Sequence, residues 1–267
     1  MSEKLRSNVS FPCKRESREN KNWISTFAGR TKNGFKNIMD IVLPHGCIGC
    51  GKEIVSYGLC EDCKKDVHYI KAPMCTKCGK PFHARSGISH LCMDCIKNKN
   101  EFTLSRSVFV YSGLIAELII RFKFKDNVNL TSMFVDEMER LYNKDFKQSE
   151  IEALIPVPLF IKRLKQRTYN QSQLLTQGLS KRIGILYRIN VLEKIKNTPP
   201  QSGLKGLERI DNVKGAYKTK DTANLKGKNV LLIDDVITTG STIRACVSAL
   251  KRSGIKQVYV MSIALVV

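Results

Sequence analysis

The chain has 267 residues, 42% of them apolar, and a formal net charge of +21. That length holds one large or two small domains with a real core, and the charge excess points to anionic partners such as phosphates or nucleic acid, against the plain alternative of a Lys-rich composition. No apolar run approaches the ~20 residues that span a bilayer, and no apolar stretch follows the charged N-terminus, so a cytoplasmic protein without membrane insertion or secretory signal is expected.

Residues 1–33 are polar, basic and weakly periodic, and read as a disordered leader in which Trp23, Ile24 and Phe27 could form a short docking helix. Residues 35–43 (FKNIMDIVL) have helical spacing and stop at Pro44. Four Cys-x-x-Cys pairs follow: Cys47 and Cys50, Cys60 and Cys63, Cys75 and Cys78, Cys92 and Cys95. Each pair sets two thiolates on one side of a tight loop, which is half of a tetrahedral zinc site, so two structural Zn2+ ions are expected. Sequential pairing is the simplest arrangement, and sequence alone does not exclude a cross-braced one. Such a short, loop-rich segment draws its folding energy from the metal. His45, His68, His83 and His90 lie among the pairs, but eight thiols already fill two sites. Cys246 sits on an apolar-periodic stretch and reads as a small core residue, whereas Cys13 lies in the leader as a free thiol. The domain division expected is a leader at 1–33, a helix plus zinc module at 34–100, and an α/β domain at 101–267.

Beyond residue 100 short apolar runs alternate with helical patterns. Strands are expected at 107–111, 153–157, 230–233 and 258–266, with one more inside 187–195. Helices are expected at 114–122, 130–142 and 170–183, and from Thr242 onward. Alternation of this kind implies a mainly parallel sheet flanked by helices. Residues 198–220 are polar and long for a connection, as a functional flap would be.

The segment VLLIDDVITTGSTI (230–243) carries the clearest chemistry. An apolar strand ends in Asp234 and Asp235, and a turn of Thr238, Thr239, Gly240, Ser241 and Thr242 leads into a helix. Two carboxylates can accept hydrogen bonds from vicinal hydroxyls or hold a hydrated metal ion. The turn offers hydroxyls and backbone amides to a phosphate at the positive end of a helix dipole. Gly240 allows a positive φ there. A strand and helix joined by a single Asp cap would need neither two acids nor five small residues in a row.

This segment resembles the phosphoribosyl-pyrophosphate (PRPP) motif of the type I phosphoribosyltransferases. With the Cys pairs, IIRFKFKDN (119–127), LIPVPLFIKRLKQRTYNQ (154–171) and NTPPQSGLKGLERIDNVKGAY (197–217), the chain is identified as similar to the ComF family of competence proteins. The resemblance implies a type I phosphoribosyltransferase-like α/β fold behind a small zinc-binding module with four cysteines per ion. It assigns Asp234 and Asp235 to the ribose and the water shell of Mg2+, residues 238–242 to the 5-phosphate, and Lys123, Lys125, Arg167 and Arg209 to the pyrophosphate. Lys162, Arg163 and Lys165 thicken the basic cluster. Residues 198–212 would form a hood over PRPP. The expected function is handling of single-stranded DNA during natural transformation, with a competence ATPase motor and recombination proteins as partners and membrane association only through them. Tyr169, Phe122 and Phe124 lie beside basic residues and are candidates for base stacking, with at least one of them core. Two alternatives stand beside it: a metabolic phosphoribosyltransferase for nucleobase salvage or amidotransfer, and a PRPP-sensing regulator that binds nucleic acid. Phosphoribosyl transfer would displace pyrophosphate at ribose C1, but no residue declares itself a general base.

Overall fold

The computed structural model describes residues 45–82, 87–97, 101–124, 130–161, 164, 167, 169–196 and 215–267, with the side chain of Phe124 excepted. The leader with Cys13, the helix expected at 35–43, His83, Lys125, Lys162, Arg163, Lys165, Arg209 and the hood up to residue 214 lie outside the described residues. Contacts divide the chain into two compact units, Met1–Val67 and His68–Val267. The segment carrying Cys75 to Cys95 therefore falls in the same unit as the sheet.

In the first unit β1 (His45–Gly46) pairs antiparallel with β2 (Glu53–Ile54). Their turn carries Cys47 and Cys50. A short helix, α1 (Glu61–Lys65), starts directly after Cys60 and carries Cys63.

The second unit is built on four strands in the order β3 (Ser105–Val110), β8 (Gln257–Leu265), β7 (Asn229–Ile237), β4 (Ala153–Pro156), all parallel. The two central strands are buried almost along their whole length. That is why they read as continuous apolar runs and not as an alternation: helices cover both faces of a parallel sheet. The helices are α2 (Met93–Lys97), α3 (Gly113–Phe124), α4 (Leu130–Asp145), α5 (Gln171–Ile183) and α6 (Ser241–Arg252). On one side α4 packs on α5 at close range, since a Cβ added at Gly178 would fall 2.5 Å from Val135 Cγ2. The amphipathic α6 buries Ile243, Cys246, Val247 and Leu250 against Val230, Leu232, Val258 and Val260. Cys246 is fully buried there, and burial pushes its thiol well above the ordinary value. A separate antiparallel pair, β5 (Leu192–Lys194) with β6 (Tyr217–Thr219), flanks the hood segment.

Three expectations change. Strand β7 runs on to Ile237, so both acids lie inside the strand, because β8 continues beside it and pairs Asp234 with Ser262 and Val236 with Ala264. The strand expected within 187–195 splits. Tyr187 makes a single parallel bridge to Leu154 on the outer edge of the sheet, and only Leu192–Lys194 forms a strand, in the separate pair. The helix expected at 114–122 starts one residue earlier and reaches Phe124, which brings Lys123 onto its last turn.

The second Cys segment is clasped along β3. Ile70 N–H donates to Val108 O at 3.0 Å, Val110 N–H to His68 O at 2.8 Å, and Ser105 N–H to Lys77 O at 2.8 Å. Gly79, at φ 72°, passes so near that a Cβ there would stand 2.9 Å from Ser105 O. An edge strand with open hydrogen-bonding groups is a site for unwanted pairing, and here it is covered. Arg106 locks the joint: it donates to Thr76 O and Ser105 O, and its Nε lies 3.3 Å from Asp145 Oδ2 in a mostly buried pair.

Candidate functional site

The thiols gather sequentially into two clusters, Cys47/Cys50/Cys60/Cys63 and Cys75/Cys78/Cys92/Cys95, with the four sulfurs of each within 4.8 Å of one another. Cross-bracing is thereby excluded. Sulfur pairs such as Cys50–Cys60 at 3.7 Å and Cys78–Cys92 at 3.6 Å match the edge of a tetrahedron with ~2.3 Å zinc–sulfur bonds. Backbone amides prepare each site: Cys60 N–H donates to Cys47 Sγ at 3.2 Å, and Cys78 and Cys92 N–H donate to Cys75 Sγ at 3.4 and 3.3 Å. Burial raises the Cys47 and Cys75 thiols, but these donors outweigh it and bring both down to about 6. Burial pushes Cys63, Cys78 and Cys95 the other way, helped by the neighbouring thiols. A ready thiolate set beside thiols that resist ionising without a counter-charge is a donor set that fits a soft dication. These residues would hold structural Zn2+. Among the described residues no histidine enters either cluster; His90 instead stacks on Phe82, ring centroids 4.3 Å apart.

At the C-terminal end of the sheet the acid pair meets two other segments. Asp234 Oδ1 accepts from the Ser172 hydroxyl at 3.0 Å and from the Asp235 amide at 2.9 Å. Asp235 Oδ2 lies 3.0 Å from Lys123 Nζ, and its Oδ1 accepts the Val236 amide at 2.6 Å. Burial pushes the Asp234 carboxyl up to about 7. Asp235 adds to the rise, while Lys123, the Asp235 amide and Ser172 hold it back. Two adjacent carboxylates under that strain fit hydroxyl donors and a hydrated dication.

Lys123 thus rests on Asp235. Around it, the end of α3 is capped by the basic segment: Tyr169 Oη donates to Phe122 O at 2.6 Å, Gln171 Nε2 to Lys123 O at 3.4 Å, and Arg167 Nη1 to Gln171 Oε1 at 3.4 Å. Asn170 caps α5 by accepting from Ser172 N–H, and its own amide donates to Val157 O at 3.0 Å. This network brings Lys123, Arg167, Ser172, Asp234 and Asp235 together from three parts of the sequence. Phe122 is fully buried core.

Gly240 has φ 72° and caps α6, which starts at Ser241. The first-turn amides of a helix lack intrahelical acceptors. Thr239 and Ser241 share a hydrogen bond between hydroxyls at 2.7 Å, with Ser241 buried and Thr238 exposed. Sequence reasoning missed Arg244. Its Nη1 lies 3.2 Å from where a Gly240 Cβ would stand, so the guanidinium overhangs the turn. Burial lowers its pKa, opposed by Asp94. The only available signal was its place four residues after Gly240, one helical turn on.

A four-stranded parallel sheet with an acid pair and a Gly-capped helix at its C-terminal edge, preceded in the chain by two four-cysteine clusters, defines a phosphoribosyltransferase-type domain joined to a double zinc ribbon. Residues 149–267 match the model of the phosphoribosyl transferase domain, and residues 38–96 match that of the double zinc ribbon domain. Competence protein F of Haemophilus influenzae is 31% identical over 228 residues, covering 82% of this chain and 96% of that protein. Competence protein ComFC of Bacillus subtilis is 27% identical over 203 residues, covering 73% and 79%. The DNA utilization protein YhgH of Escherichia coli is 27% identical over 208 residues, covering 76% and 88%. The chain belongs to the ComF family of competence proteins. Among solved structures, an adenine phosphoribosyltransferase covers 52% of this chain and 73% of its own at 16% identity, with a TM-score of 0.35. A score that low adds nothing to the fold assignment, which rests on the sheet and the domain matches.

Proposed function

We propose that this chain binds PRPP with Mg2+ at the acid pair and supports the handling of single-stranded DNA in natural transformation. The observation that carries the reading is the convergence of Asp234, Asp235, Lys123 and Ser172 beside a Gly240-capped helix. Asp234 and Asp235 accept hydrogen bonds from the ribose hydroxyls. The first-turn amides of α6 hold the 5-phosphate, with the Thr238, Thr239 and Thr242 hydroxyls around it and the Arg244 guanidinium overhead. Lys123 moves from Asp235 to the pyrophosphate, where Arg167 joins it, and Lys125 and Arg209 are assigned there by the family resemblance. Bound Mg2+, held through Asp234 and Asp235, would neutralise the pyrophosphate charge. Transfer of the phosphoribosyl group is the finer expectation; among the described residues none stands ready as a general base for it.

The family relatives named for competence and DNA utilization support the DNA role, as does the net charge of +21. A competence ATPase motor and single-strand-handling recombination proteins are the partners proposed. Among the described residues no helix is long and apolar enough to cross a membrane, and a cytoplasmic site of action is part of the proposal. Calorimetric titration of PRPP with Mg2+ tests the site. Binding should be lost in the Asp234→Asn/Asp235→Asn double variant, and unchanged heats would remove the acid pair from the account.

A further inference from the structure

Far from the acid pair, an open cavity of about 810 Å³ is lined by Glu152, Leu186, Arg188, Asn224, Lys226 and Lys228, among others. It lies where β4 and β7 begin: Ala153, the first residue of β4, is in its wall, and Lys228 immediately precedes β7. Asp235 is six residues along β7 from Asn229, and at ~3.3 Å per residue that puts the two sites about 20 Å apart. Backbone hydrogen bonds hold the segments that carry the cations. Arg188 N–H donates to Leu154 O at 2.8 Å, and Leu154 N–H to Leu186 O at 2.9 Å, so residues 186–188 run along the outer edge of β4. On the other wall Gly227, at φ 74°, donates to Gly254 O at 2.8 Å, which pins the turn between Lys226 and Lys228.

Three cations face one carboxylate. Glu152 Oε2 is taken by Lys228 Nζ at 3.2 Å. Arg188 and Lys226 make no ion pair among the described residues. Leu186, 63% exposed, and the buried Leu225 give the trough an apolar side. A small-molecule pocket encloses its ligand and offers mostly apolar walls. This one is open, with Arg188 on one wall, Lys226 and Lys228 on the other and an apolar side at Leu186 and Leu225, a pattern suited to a strand whose phosphates meet the cations and whose sugars and bases lie against the leucines.

We infer that this trough is a docking track for the backbone of single-stranded DNA, separate from the PRPP site. The inference rests on the DNA role proposed above and assigns a place to it. Because the two sites lie at opposite ends of the sheet, the protein holds both ligands at once, and PRPP does not displace the strand.

The test measures binding of a labelled oligo(dT) by fluorescence anisotropy across a salt series, on zinc-loaded protein. Reversing two cations, Arg188→Glu with Lys226→Glu, should weaken binding at least tenfold. It should also make the log–log salt dependence shallower by about 1.4, since each single-strand phosphate contact contributes ~0.7. The calorimetric signal for PRPP with Mg2+ should be unaltered. A control with the same change in net charge, Arg140→Glu with Lys144→Glu on α4, should bind nearly as the parent does. If the parent binds oligo(dT) and the trough variant binds with the same affinity and slope, the trough is wrong while the DNA role stands. If the control weakens binding as much as the trough variant, the effect is one of net charge and the assignment falls. If the parent does not bind the oligonucleotide at all, both readings fail.

Discussion

Replacing Asp234 by Asn should stabilise the folded domain at neutral and alkaline pH, although it damages the proposed ligand site. In the folded chain burial and Asp235 raise this carboxyl from 3.8 to about 7. At ~1.4 kcal/mol per tenfold, that difference penalises the ionised folded state by roughly 4 kcal/mol once the pH is above both values. Between the two values the folded protein binds more protons than the unfolded chain, so this group's contribution to stability falls as pH rises through the window and levels off above about 7. Asn does not ionise and escapes the penalty, while its side-chain carbonyl still accepts from Ser172 and the Asp235 amide. Thiolate protonation at low pH would release zinc, so the comparison belongs between pH 6 and 8. Over that range the variant should gain about 1.4 kcal/mol relative to the parent, the part of the penalty that develops there. Urea unfolding of both proteins at several pH values, without PRPP or Mg2+, measures the difference directly. A stability difference flat with pH, or one that shrinks as pH rises, would refute the idea that Asp234 is a strained acid held for a ligand. Saturating Mg2+ with PRPP should reverse the order of stability, because the proposed site would hold them more tightly in the parent.

Cys47→Ser and Cys75→Ser should each lose one zinc of two by metal analysis, but with different consequences. Cys75→Ser should also lower the melting temperature of the sheet-containing unit, because the segment around Cys75 covers β3. Gly240→Ala should cost about 1 kcal/mol, since an L-residue is strained at φ 72° and its methyl would meet Arg244 Nη1 at 3.2 Å; PRPP affinity should fall with it in calorimetry. Arg106→Met leaves Asp145 mostly buried without its cation and should destabilise by roughly 3–5 kcal/mol in chemical denaturation. Adding Asp145→Asn should recover much of that, and no recovery would mean that Arg106 acts through its bonds to Thr76 and Ser105 alone.

Much of the site was legible because its chemistry is local. The acids, the hydroxyl-rich turn and Gly240 are neighbours in the chain, and the Cys-x-x-Cys spacing builds half of each zinc site before any tertiary contact forms. The apolar runs at 230–233 and 258–266 announced a parallel sheet because burial on both faces removes the alternation. Arg244 was invisible, since an arginine on an amphipathic helix reads as solvent-facing. Only the path of the turn below shows that it overhangs Gly240. Lys123 stands out in the sequence, but for a free pyrophosphate; its rest position on Asp235 depends on where the end of α3 falls beside β7.

The sequence by itself determined the four Cys pairs, the acid pair with its hydroxyl-rich turn, and the alternation of strands and helices, because each is written in residue type and short-range spacing. Tertiary structure alone decided which thiols share a cluster, that the second Cys segment seals the β3 edge, that Tyr169 and Gln171 cap the helix bearing Lys123, and that Arg188 meets Lys226 and Lys228 across a trough. Those pairings join residues distant in the chain. They follow from strand order and helix packing, and no local pattern encodes either.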